Sequence, residues 1–203
     1  MMSSQNSFSE FEEYITPSEL IEHIYCPRFT YFMKCLGIRQ YEEQRFKVQL
    51  GREKHLDKKT QNAKQIRKRI NGVSKEQEKY LVSKKYGIKG IVDEIYLLGD
   101  GSYAPLDYKF AEYKDKEFDT YKTQMGLYSL MIEEQYEAKV NKLFLVYLRS
   151  KSLLKEVKFD DKLRSKCFKY IEDYKRVITG VYPKPTASKA RCIDCCYRNI
   201  CEK

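Results

Sequence analysis

The stretch that decides the fold reads Gly90-Ile91-Val92-Asp93-Glu94-Ile95-Tyr96-Leu97-Leu98-Gly99-Asp100-Gly101-Ser102-Tyr103-Ala104-Pro105-Leu106-Asp107-Tyr108-Lys109. Two β-rich runs, Ile88 to Leu98 and Tyr103 to Phe110, flank Gly99-Asp100-Gly101, whose composition specifies a hairpin turn. Side chains alternate along a strand, so Asp107 and Lys109 share a face. A carboxylate in an apolar strand is costly unless something pairs with it. One divalent cation held by Asp93 and Asp107 accounts for both. Oxygen ligands suit Mg²⁺ or Mn²⁺, and an added imidazole favours Mn²⁺. Such a cation lowers the pKa of water and offsets charge on a phosphoryl oxygen. Lys109 is placed to orient that water or to neutralise the transition state. The plainer reading, edge or turn carboxylates with a solvated lysine, is not excluded by Asp-x-Lys alone.

Outward from the hairpin, the pattern alternates between helix and strand. Upstream, Thr16-Pro17-Ser18-Glu19 carries a helix start: a capping threonine, a proline for the first turn and a glutamate that reaches back. Leu20, Ile21, Ile24 and Tyr25 give that helix an apolar face. Pro27 breaks or restarts it, and a second run through Phe29, Phe32 and Met33 ends near Gly37. A long helix is expected over roughly 44–70, apolar at Phe46, Leu50 and Leu56, then basic from Lys58 to Arg69. Lys79 to Lys85 reads as a strand. Downstream come a helix from about Phe118 to Gln135, strands at Lys142 to Leu148 and Leu153 to Phe159, and a helix from Cys167 to Thr179. An extended linker, Gly180 to Ser188, precedes a cysteine-dense tail. Nothing marks a domain boundary, so one domain is expected. It comprises a polar arm over 1–14, N-terminal helices over 15–43, a core over 44–180 and the tail over 181–203.

The order of the polar residues narrows the chemistry. Gly51-x-x-x-His55 lies upstream on the long helix, and Gln124-x-x-x-Tyr128 lies downstream, one turn apart on one helix face. His55, Asp93, Asp107-x-Lys109 and Gln124-x-x-x-Tyr128, in this order, resemble the RecB-like branch of the PD-(D/E)xK nucleases. The resemblance implies an α/β restriction-endonuclease-like core, a mixed central sheet flanked by helices. It implies His55, Asp93, Asp107 and the carbonyl of Tyr108 as metal ligands and Lys109 as the catalytic lysine. It further implies Gln124 and Tyr128 as contacts to the active site and DNA.

The tail reads Cys192-x-x-Cys195-Cys196-x-x-x-x-Cys201. Cys192 and Cys195 have chelate spacing, and Cys201 joins them after a short turn. A tetrahedral site wants a fourth thiolate. Cys26, before Pro27 at a helix break, is the best placed. Cys35 and Cys167 sit in helical apolar patterns and read as small core residues. The doublet also permits Cys-x₃-Cys-x₄-Cys through Cys196. Spacing alone favours a structural Cys₄ zinc site. One cysteine in Ile24-Tyr25-Cys26-Pro27 and a terminal Cys-x₂-Cys-x₅-Cys, flanking a RecB-like core, resemble the CRISPR-associated exonuclease family. That resemblance implies an iron–sulfur cluster, usually 4Fe–4S, on Cys26, Cys192, Cys195 and Cys201. We expect such a cluster to be structural rather than redox-catalytic.

Composition bounds the rest. The 203 residues carry 39 Lys plus Arg against 29 Asp plus Glu, a net charge of +10, which favours a polyanionic partner. The longest apolar run, Leu143 to Leu148, is too short for a membrane span. Seven cysteines, an odd count, behind a polar, acidic start argue against a secreted disulfide scaffold and for a reducing cytoplasm. Lys114, Lys116 and Lys122, with Tyr113 and Tyr121, are placed to track a single strand by charge and stacking. The expected activity is a metal-dependent DNA exonuclease acting on single-stranded or frayed ends. The family resemblance implies trimming of prespacer ends with the CRISPR adaptation integrase complex. A homo-oligomer is left open. The competing readings are a non-cleaving nucleic-acid adaptor with a structural zinc, and a subunit of a helicase–nuclease repair complex.

Overall fold

A computed structural model describes residues 14–39, 68–193 and 195–202. The chain enters through α1 (Pro17–Tyr25), opened by a complete capping box in which the Thr16 and Glu19 side chains each bond the other's backbone amide. Cys26 is extended, with φ −160° and ψ 120°, and separates α1 from α2 (Pro27–Thr30) and the π-helical turn Tyr31–Cys35. The proline thus restarts the helix, as its fixed φ and missing N–H require.

Five strands follow, β1 (Gly72–Ser83), β2 (Ile88–Leu98), β3 (Tyr103–Lys109), β4 (Lys142–Tyr147) and β5 (Leu153–Lys158), in the sheet order β1-β2-β3-β4-β5. Neighbours pair antiparallel except β3 and β4, which are parallel. A parallel neighbour needs a crossover, and α3 (Asp119–Tyr136) supplies it. α4 (Asp161–Ile178) lies beside α3, and a short α5 (Lys189–Ile193) leads into the tail. The result is the mixed sheet with flanking helices expected from the sequence.

Two boundaries differ from the sequence reading. β1 begins at Gly72, not Lys79, because its polar Lys75 and Gln77 reach the buried Glu94 of β2 rather than solvent. α4 begins at Asp161, not Cys167. Asp160 caps it by accepting the Leu163 N–H at 2.9 Å, and Arg164 in its first turns pairs with Glu133 of α3. The long helix expected over 44–70 lies outside the described residues except for its last turn.

The core is split by the sheet. On one face Leu81, Ile88 and Leu145 pack against Leu20 of α1, Leu127, Leu130 and Met131 of α3, and Ile171 of α4. On the other, Ile70, Tyr96, Leu106, Tyr108, Phe144 and Val146 form a second cluster. Odd-numbered residues of β3 therefore face α3, and this puts Asp107 and Lys109 on the helix-covered side. No described helix is long and apolar enough to cross a membrane.

Candidate active site and cysteine cluster

The β2–β3 ladder runs from Leu97↔Tyr103 to Glu94↔Leu106, and Asp93 stands one residue beyond. There the strands part, and the Asp93 carboxylate accepts the backbone N–H of Tyr108 at 3.3 Å. β3 meanwhile takes β4 as its parallel partner from Leu106↔Phe144 to Lys109↔Tyr147. This divergence opens the space in which two carboxylates from adjacent strands approach each other. Asp107 is 6% exposed, and its Oδ2 lies 2.6 Å from Lys109 Nζ. Lys109 Nζ also donates to Gln124 Oε1 at 2.5 Å, and Gln124 Nε2 donates to the Tyr128 hydroxyl at 3.2 Å. Burial, then the charge of Asp107, raises the Tyr128 phenol well above its ordinary value, with a smaller contribution from Asp93. It is therefore neutral, and its hydroxyl accepts the Gln124 N–H within the field of both carboxylates. A Cβ on Gly90 would meet the Tyr128 ring at 3.2 Å and Pro17 at 3.1 Å, so this glycine lets the ring close over β2.

Asp93, Asp107, Lys109, Gln124 and Tyr128 are thus brought together by β2, β3 and α3. His55 lies outside the described residues. Tyr108 sends its ring into the opposite core, where burial, then Glu94, raises its phenol. Glu94 itself was missed by the sequence reading. It is fully buried and accepts Lys75 Nζ at 2.8 Å, Gln77 Nε2 at 2.9 Å and the Tyr96 hydroxyl at 2.6 Å. A carboxylate beside Asp93 in an apolar strand was the available signal. Of the expected nucleic-acid contacts, Lys114 and Lys116 are exposed in the β3–α3 connection, and Lys122 pairs with Asp119 at 3.2 Å. The basic run from Lys58 lies outside the described residues except Lys68 and Arg69, which are exposed.

A second cluster joins the tail to the first helices. Cys26, Cys192, Cys195 and Cys201 line one cavity with Phe29, Phe32 and Tyr197. Cys196 is exposed and does not line it. The extended backbone at Cys26 turns its thiol away from both helices toward the tail. Arg191 caps the end of α1 by donating to the carbonyls of Ile24 and Tyr25 at 3.1 and 2.9 Å. Arg28 donates to the Pro183 and Glu202 carbonyls and, at 3.2 Å, to Cys201 Sγ. The Thr186 N–H points at Cys26 Sγ from 3.4 Å. The Cys195 thiol is raised by burial first; the Tyr197 amide lowers it, and the other three thiols raise it again. Four thiols that feel one another, with N–H donors aimed at their sulfurs, suit a thiolate-bound metal cluster. Among the described residues, no group of three or more His, Cys, Asp or Glu is yet close-set enough to hold a metal ion.

Residues 16–202 match the PD-(D/E)XK nuclease superfamily. The CRISPR-associated exonuclease Cas4 of Francisella tularensis subsp. novicida (strain U112) is 28% identical over 188 residues, covering 87% of this chain and 88% of its own length. The CRISPR-associated exonuclease Cas4/endonuclease Cas1 fusion of Leptospira interrogans serogroup Icterohaemorrhagiae serovar Lai (strain 56601) is 24% identical. That match covers 88% of this chain and 32% of the fusion. Among solved structures, SSO0001 superposes with a TM-score of 0.58 at 21% identity, over 96% of this chain and 88% of its own. A putative exonuclease from Eubacterium rectale gives 0.50 at 17%, over 96% and 93%. Because the match runs through nearly the whole chain rather than one motif, the chain belongs to the PD-(D/E)XK nuclease superfamily, as a Cas4-like member.

Proposed function

We propose that the protein is a metal-dependent DNA exonuclease that trims strand ends by hydrolysis, and that the ends are prespacers in CRISPR adaptation. One observation carries the chemical part: Asp93, Asp107 and Lys109 converge where β2 and β3 part, under Gln124 and Tyr128. Asp93, Asp107, the Tyr108 carbonyl and His55 would hold Mg²⁺ or Mn²⁺. When bound, such a cation acidifies water and offsets charge on the phosphate. Lys109, held at Nζ by Asp107 and Gln124, presents its ammonium group to the phosphate oxygen or the attacking water. Tyr128, kept neutral, accepts the Gln124 side-chain N–H and so fixes the amide whose oxygen holds Lys109. No covalent intermediate is required. The biological role rests on the relatives' names, one of which couples the nuclease to Cas1. Cys26, Cys192, Cys195 and Cys201 are proposed to hold a 4Fe–4S cluster that ties the tail to α1 and α2.

The test is an end-labelled nuclease assay with Mg²⁺ and Mn²⁺, alongside iron and sulfide analysis of anaerobically purified protein. Asp107→Ala and Lys109→Ala are expected to lose cleavage by at least a hundredfold while keeping the fold and the iron and sulfide content. Undiminished cleavage by either variant sinks the site assignment. A colourless protein with one zinc in place of iron and sulfide sinks the cluster.

A further inference from the structure

Beside Lys109 lies a run of rings that hydrolysis does not use. Phe118 meets Tyr121 edge-on at 5.5 Å, Tyr121 lies 6.4 Å from Tyr147, and Tyr147 lies 5.1 Å from Tyr113. Lys109 Nζ stands 4.8 Å from the Tyr121 ring centroid, and Lys155 Nζ stands 4.4 Å from that of Tyr113. The outermost ring, Phe118, is 40% exposed and immediately precedes α3, where it caps nothing. The innermost, Tyr147, is fully buried, yet its hydroxyl meets no hydrogen-bond partner among the described residues. Burial, then the Glu117 charge, pushes this phenol up to about 12, so it stays protonated.

We propose that Phe118 and Tyr121, backed by Tyr147, form a nucleobase subsite adjoining the cleavage centre. An unpaired base would stack on the exposed Phe118 ring, with the Tyr121 ring, 77° to it, against the base edge and Tyr147 buried behind as a rigid wall. The occupant is argued from continuity and charge. The rings adjoin the lysine that meets the scissile phosphate, and cations flank Tyr121 and the neighbouring Tyr113. Of the acids near the rings, Asp119 is already paired with Lys122 at 3.2 Å and Lys166 at 2.9 Å, and Glu117 accepts the Tyr113 hydroxyl at 3.4 Å. A ring face accepts any base without reading its identity. A paired, stacked base offers no free face, so the subsite selects unpaired ends. This inference rests on the nuclease reading and adds the group that recognises the strand.

The test uses full-length protein with metal chelated, so that binding is read without cleavage. A thymine-rich single strand carrying 5-iodouracil near its end cross-links to stacked aromatic rings on irradiation. The cross-link is expected in the peptide spanning Phe118 and Tyr121. Phe118→Ala is expected to weaken single-strand binding on the order of tenfold and to abolish the cross-link, leaving blunt-duplex binding unchanged. Tyr121→Leu, which removes the second ring, is expected to weaken single-strand binding several-fold. Unchanged affinity in both variants, or a cross-link elsewhere, overturns the subsite. Wild-type protein that cross-links here but never cleaves with Mg²⁺ or Mn²⁺ supports the subsite and refutes the nuclease reading.

Discussion

Lys109 is held by neighbours of opposite demand. Asp107 offers it a charge at 2.6 Å and Gln124 a neutral acceptor at 2.5 Å. The amide fixes the direction of Nζ, so Gln124→Ala should free it to swing about its remaining partner, Asp107. The expected result is a fall in cleavage rate of about tenfold with little change in strand affinity, read from single-turnover kinetics. Gly90→Ala belongs to the same scale. Its added methyl must displace Tyr128 or Pro17, at a stability cost of roughly 1–3 kcal/mol. Cleavage should drop because Tyr128 no longer covers the carboxylates; a variant as active and as stable as the parent would refute this. His23 shows what burial does to a base. It is 2% exposed, its Nδ1 lies 3.0 Å from Thr30 Oγ1, and burial lowers its pKa to about 4. The unfolded chain binds this proton near 6.5 and the folded chain only near 4. The unfolded state therefore holds more protons between those values, and stability falls as pH drops through that window. His23→Gln should flatten this part of the stability profile in denaturant titrations from pH 7 to 4.

At the scale of elements, α3 is the part that must not move, since it carries Gln124, Tyr128 and Tyr121. It approaches α4 closely because Gly126 has no side chain: a Cβ there would lie 2.6 Å from Cys167 Sγ. Gly126→Ala is expected to destabilise the protein by roughly 1–3 kcal/mol, and Cys167→Ala in the same chain should recover much of it. Additive losses in the double variant would show that the contact is not the cause. α1 depends instead on its start. Thr16→Ala removes the capping box and should cost about 1 kcal/mol, measured as a shift in the urea midpoint at constant slope. β1 illustrates why one strand boundary was misread. Its N-terminal half alternates poorly in hydrophobicity, since Lys75 and Gln77 turn toward a buried acid. Periodicity sees polar residues and cannot see their partner.

At the scale of the molecule, the tail and the first helices form one unit. Arg28, Arg191 and Tyr197 hold it by hydrogen bonds, Tyr197 donating to the Ile38 carbonyl at 2.7 Å. A cluster on Cys26 and Cys192 would close a loop of about 166 residues and restrict the unfolded chain by on the order of 5 kcal/mol. Cys26→Ser should therefore lower the melting temperature markedly and expose the tail to limited proteolysis. Cys196→Ser should do neither, because that thiol lies outside the cavity. Reducing a cluster bound by these four cysteines should leave cleavage unchanged; loss on reduction and recovery on reoxidation would make it redox-catalytic. Phosphate neutralisation should make strand affinity fall steeply with salt.

The sequence by itself determined the hairpin, through Gly99-Asp100-Gly101, and the shared face of Asp107 and Lys109, through the two-residue period of a strand. It also marked Cys26, at a helix break, as a thiol turned outward. These are local consequences of backbone geometry. Only the tertiary structure decided that Asp93 lies where β2 and β3 part, because β3 leaves one partner for a parallel one across a crossover. Only it brought Tyr147 of β4 beneath Tyr121 of α3, and Cys192, Cys195 and Cys201 beside Cys26 at the end of α1. Those contacts join segments distant in sequence, and no periodicity within either segment encodes which distant face it will meet.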